Sequence, residues 1–204
     1  LARVLERRDP RDTRAFGLYD QACTGGYLPA CTEIGRRYAA VGDQAHAIEV
    51  YRSACALHEP EACTRLGTLE EGLPGKAADA AAHHEQACTE DPGIACRSAG
   101  SLYTSGKLLP VDLNRASRLF EAGCSADDFT ACAMRADLYR LHPGSPRDLA
   151  RALALYDRAC NAEIAWACVQ AGHLYRRAGR TDESRQRYEK GCRGGDAEAC
   201  HLAP

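Results

Sequence analysis

Large hydrophobic side chains are scarce in this chain: its 204 residues include one Trp, one Met and three Phe. A core with so few bulky groups must be built from small ones and held by something besides hydrophobic mass. Long apolar runs are missing as well, and none approaches the roughly 18 residues that a membrane-spanning helix requires. There is no excess of either charge, with 26 Lys and Arg against 28 Asp and Glu. The basic residues are spread along the chain, so neither nucleic acid nor membrane insertion is expected. The sequence opens at Leu1 without a Met, a basic n-region or an apolar h-region, and reads as a mature or excised chain.

What the chain has in quantity is cysteine. The twelve cysteines fall into six pairs: Cys23/Cys31, Cys55/Cys63, Cys88/Cys96, Cys124/Cys132, Cys160/Cys168 and Cys192/Cys200. Each pair is separated by seven residues, and successive pairs recur after 32, 33, 36, 36 and 32 residues, the period of helical-hairpin solenoids. Other positions keep register with the cysteines. Before the first come Ala47, Tyr51 and Ala54, or Ala116, Phe120 and Gly123, or Ala152, Tyr156 and Ala159. After the second come Gly35 and Tyr38, Gly100 and Tyr103, Ala136 and Tyr139, or Gly172 and Tyr175.

Offsets of three, four, seven and eight fall on one stripe of a helix, so each cysteine marks a helix. Segments such as "TGGYLPA" and "TEDPGIA" between paired cysteines stop one helix and start the next. The spacing predicts helices entering the pairs near 13–24, 44–57, 77–89, 112–125, 147–161 and 181–193. Those leaving them are predicted near 28–41, 60–71, 93–106, 129–141 and 165–178. Residues 1–8 read as the end of an earlier helix. Antiparallel neighbours bring paired cysteines within the 4.4–6.8 Å Cα separation of a disulfide. Each such bond closes a short loop and contributes about 2.5 kcal/mol in the chain-entropy model. Twelve cysteines in six such pairs point to an oxidising compartment, periplasmic or secreted, with the mitochondrial intermembrane space as the alternative for a eukaryotic chain. Abundant Ala and Arg point to a GC-rich bacterial genome.

The repeated motif Tyr-x-x-Ala-Cys-x7-Cys-x-x-x-Gly-x-x-Tyr resembles the Sel1-like repeats, relatives of the tetratricopeptide repeat, and in particular their disulfide-rich branch typified by the Helicobacter cysteine-rich proteins. The resemblance covers nearly the whole chain. It implies an all-α, right-handed superhelical solenoid spanning 1–204, with about six hairpin units and one disulfide per hairpin. Three positions depart from the motif: His84 occupies an aromatic slot, Glu70 replaces Tyr and Ala136 replaces Gly. Looser packing is expected in units two and three. Four residues follow Cys200, so the last unit reads as truncated, either a shortened natural cap or a cut within a longer chain.

The resemblance also implies a concave groove for a protein or peptide, lined by the helices that begin at each second cysteine. The first and fifth positions after that cysteine are Thr32 and Arg36, Thr64 and Thr68, Arg97 and Ser101, Ala133 and Asp137, and Val169 and His173. One turn on are Thr104, Arg140 and Arg176, and Trp166 precedes Cys168 by two. Arg36, Arg97, Arg140 and Arg176 form a candidate basic ladder for carboxylates, with Trp166 as an anchor.

Two rival functions come with the resemblance: binding or hydrolysis of β-lactams or cell-wall peptides, and haem binding in oxidase assembly. No Ser is followed by Lys at the third position, and there is no H-E-x-x-H or C-x-x-C-H. His83 and His84 point to different helix faces and read as structural. No catalytic residue, metal site or cofactor is expected.

Overall fold

The structure, a computed structural model, describes residues 2, 4–5, 13–142 and 146–203. The remainder of the helix end expected at 1–8, and residues 143–145 of the linker "LHPGSPRD", lie outside the described residues. Twelve helices follow one another without strands among those residues. They are α1 (Thr13–Thr24), α2 (Leu28–Ala40), α3 (Gln44–Ala56), α4 (Pro60–Glu71), α5 (Ala77–Glu90), α6 (Ile94–Leu102), α7 (Leu113–Ser125), α8 (Phe129–Leu141), α9 (Pro146–Asn161), α10 (Ala165–Arg177), α11 (Thr181–Arg193) and α12 (Ala197–Leu202). The contacts divide them into two compact units, residues 1–91 and 92–204.

The expected helices form with two differences. α6 ends at Leu102 rather than near 106. Tyr103 and Thr104 close its last turn on Gly100 and Ser101, Gly106 takes a positive φ of 67°, and the chain is bent back until Asp112 N–H reaches Tyr103 O at 3.0 Å. The short α12 forms around Cys200, started by Asp196, whose carboxylate accepts from Ala199 N–H at 2.9 Å.

The turns between paired cysteines share one construction. The residue five before the second cysteine lies in the left-handed region in five of them: Gly26, His58, Asp127, Glu163 and Gly195. The next N–H reaches back to the carbonyl of the residue before the first cysteine, as Tyr27 does to Ala22 and Ile164 to Ala159, which closes the helix with a Schellman-type cap. The following helix then starts on Pro29 or Pro60, or on an Asp128 or Asp196 cap. The cysteines are thereby brought together. Five disulfides, Cys23–Cys31, Cys55–Cys63, Cys124–Cys132, Cys160–Cys168 and Cys192–Cys200, have Cα separations of 4.5 to 4.8 Å. Cys88 and Cys96 are also disulfide-bonded.

Small residues and a few rings fill the core. In each unit the aromatic four before a first cysteine presses on the small residue four after the preceding second cysteine. A Cβ built on Gly35 would lie 2.5 Å from the Tyr51 ring, and one on Gly100 would lie 2.6 Å from Phe120. Tyr188 closes on Gly172 in the same way, and Ala136 is buried in the cluster around Tyr156. These ring-on-backbone contacts allow hairpins to approach closely without large aliphatic side chains.

The departures in units two and three are filled by a polar cluster rather than by loose packing. His84 is fully buried against Gly67, and its Nε2 lies 2.7 Å from Glu71. Glu70, 2 % exposed, lies 2.7 Å from His83 Nδ1 and 3.9 Å from Arg52. Adjacent histidines on α5 thus take adjacent glutamates on α4, which gives a partner to what would otherwise be a costly unpaired buried carboxylate. Burial lowers the pKa of the His84 imidazole, and the Glu71 hydrogen bond opposes this in part.

Candidate functional site

The helices leaving the cysteine turns, α2 and α4 in the first unit and α6, α8 and α10 in the second, carry the residues expected to line a groove. The position directly after the second cysteine faces inward in three of them: Thr32, Ala133 and Val169 are buried. Val169 packs with Tyr188 and Ala199 of the next hairpin, so this register belongs to the contact between successive helices. The same holds in part for Arg97, whose Nε donates to the Asp128 carboxylate at 2.7 Å, and for Ser101, 4.0 Å from Met134 Sδ. The Thr64 hydroxyl bonds back to Pro60 O at 3.0 Å, Thr68 to Thr64 O and Thr104 to Ser101 O, as helical threonines do.

In the second unit the expected residues gather in two groups. Asp137 Oδ1 accepts from the Tyr156 hydroxyl at 2.6 Å and from Arg140 at 2.9 Å, and Arg140 Nε also reaches the Tyr156 oxygen at 3.0 Å. Burial and the Asp137 carboxylate push the Tyr156 phenol well above its ordinary pKa, so it stays a donor. Trp166 is half-buried and edge-on to Tyr156 at 6.4 Å, packed on the same core. In the other group His173 stands 3.1 Å from Glu198 and 3.1 Å from the Tyr188 hydroxyl. Arg176 lies 3.4 Å from the His173 ring nitrogen and over the Tyr188 ring. In the first unit Arg36 on α2 pairs with Glu33 at 2.7 Å, and Thr68 on α4 is exposed.

The arginines therefore form no row of free charges. Arg36, Arg97 and Arg140 each hold a carboxylate of this chain, and Arg176 a ring and an imidazole. Two of these pairs, Glu33/Arg36 and Asp137/Arg140, are three apart in sequence, and that spacing signals them. Asp128, Asp157 and Glu198 are the residues that sequence reasoning missed. Asp157 joins three helices, accepting from Tyr175 at 2.5 Å and from Arg187 at 2.6 Å. Among the described residues no group of three or more His, Cys, Asp or Glu is placed to hold a metal ion, and no helix is long and apolar enough to cross a membrane.

The helical hairpins of this chain have the fold of Sel1 repeat proteins of known structure. A Sel1 repeat protein from Oxalobacter formigenes superposes with a TM-score of 0.74 at 23 % identity, over 88 % of this chain and 78 % of that one. A protective antigen of uropathogenic Escherichia coli strains, displaying an SLR fold, superposes with a TM-score of 0.82 at 20 % identity; 93 % of this chain covers 43 % of the antigen. A Klebsiella pneumoniae sel1 repeat protein superposes with a TM-score of 0.58 at 16 % identity, over 92 % of this chain and 97 % of that one. No protein-family model and no curated protein matches the chain.

Proposed function

We propose that this chain is a non-catalytic, extracytoplasmic scaffold that binds a protein or peptide. The reading is carried by one observation: side chains on successive leaving helices are part-exposed yet held by neighbours, notably Asp137, Arg140, His173 and Arg176 in the second unit. Groups fixed before binding lose little freedom on contact, which favours recognition. Trp166 offers an apolar surface beside the Arg140 group. In the first unit Arg36, Thr64 and Thr68 occupy the corresponding helices. The likeness to Sel1 repeat structures supports a scaffold, and twelve bonded cysteines support an oxidising home, periplasmic or secreted.

Photocrosslinking in a periplasmic extract tests the reading. A benzophenone at Arg176 or Thr68 is expected to capture a partner, and one at exposed Arg118, on an entering helix, is not. Capture that persists unchanged in the combined Arg140→Ala, Trp166→Ala and Arg176→Ala variant would remove the proposed face.

A further inference from the structure

The stapled hairpin α9–α10 holds an apolar cleft. At the end away from the Cys160–Cys168 bond, Leu149, Ala150 and Leu153 of α9 face Leu174, Arg177 and Ala178 across a cleft of about 330 Å³. The spacings, four residues on α9 and three and four on α10, put each set on one helix face. At the positions of Leu149, Leu153, Leu174 and Arg177 the other hairpins carry Asp12, Phe16, Arg37 and Ala40; Gln44, Ile48, Leu69 and Gly72; Ala77, Ala81, Leu102 and Ser105; and Leu113, Ser117, Leu138 and Leu141. Only α9–α10 combines three leucines with an arginine.

Along α9 to α11 and the turn between α10 and α11, Arg151 pairs with Asp148, Arg158 with Asp127, Arg180 with Glu183 and Arg187 with Asp157. Arg177 is exposed at the rim and has no such partner among the described residues. The carbonyls beside it are occupied: Leu174 O and Tyr175 O accept from Ala178 N–H, and Arg176 O from Gly179 N–H. The rim thus presents a guanidinium, a two-pronged donor matched to a carboxylate, over an aliphatic pocket.

We propose that this cleft binds the C-terminus of a peptide ending in an aliphatic residue. The last side chain packs between Leu149, Leu153 and Leu174, and its α-carboxylate takes the Arg177 fork. The site uses other positions of α10 than the face proposed above and does not depend on it.

Fluorescence anisotropy of N-terminally labelled Gly-Ser-Gly-Leu, as free acid and as C-terminal amide, tests the assignment on the oxidised full chain. The free acid is expected to bind saturably, and both amidation and Arg177→Gln are expected to weaken it at least about tenfold. Arg193→Gln leaves binding unchanged. Ala150→Trp, which fills the mouth from an exposed position, abolishes binding without lowering the melting temperature. Equal binding of the amide, indifference to Arg177→Gln, or no binding by about 1 mM protein overturns the proposal. So does tighter binding of free decanoate, which would make the ligand an amphiphile. Photocrosslinked partners retained in Arg177→Gln but lost in Arg140→Ala separate this site from the scaffold face.

Discussion

The ring of Tyr188 rests on the backbone of Gly172, with no room for a methyl group between them. The same relationship joins Tyr51 to Gly35 and Phe120 to Gly100. Gly172→Val is therefore expected to cost about 1–3 kcal/mol through overpacking, read as a lower urea midpoint. In a Tyr188→Leu background most of that added cost disappears, since the two residues act on one contact. An unchanged midpoint for Gly172→Val in the wild-type chain, or an equal loss in the Tyr188→Leu background, would mean that the ring does not set hairpin spacing.

Most of this architecture is legible in the sequence because the cysteines index it. With a Cys at each side of every turn, the periodic positions fall on known helix faces and the hairpins follow. The partner of each stripe is harder to read, since helical spacing says that Tyr188 and Cys192 share a face but not that Gly172 lies opposite. The buried polar cluster shows the same limit. His84 and Glu70 stand out as departures, yet their neighbours Glu71 and His83 complete it across two helices. Thr32, Ala133 and Val169 are buried rather than lining a groove, and Val169 packs on Tyr188 and Ala199 of the next hairpin. Local pairs such as Glu33/Arg36 were visible in the spacing. Arg97 with Asp128 was not, since they lie 31 positions apart in the chain.

His84 makes stability depend on pH. Its pKa is lowered in the folded chain by burial, so the unfolded chain takes up a proton that the folded chain refuses. This contribution is complete above the ordinary imidazole value of 6.5 and is lost as pH falls through the lowered folded value. His84→Phe, which restores the aromatic that Phe120 supplies elsewhere, is expected to flatten the fall in melting temperature between about pH 7 and 5. A slope unchanged in that variant would assign the acid sensitivity to other groups.

Glu163 holds a positive φ of 66° in a turn where Gly26 and Gly195 stand at the corresponding position. Glu163→Gly relieves the left-handed strain of a side-chain-bearing residue and is expected to raise stability by about 0.5–1 kcal/mol. Gly195→Ala lowers it by a similar amount. Urea titration of both variants checks the opposite signs.

Removing one staple should weaken the fold locally. The double variant Cys160→Ala/Cys168→Ala is expected to lose about 2–4 kcal/mol, and full reduction considerably more, as followed by far-ultraviolet circular dichroism. Melting curves that coincide before and after reduction would show that ring-on-glycine contacts suffice.

The most direct test of the account is the intact mass of the native, unreduced protein after alkylation under denaturing conditions. With all twelve cysteines bonded, as the structure has them, no alkyl group is added. Twelve adducts on protein kept in its native redox state would contradict the stapled scaffold and its oxidising home.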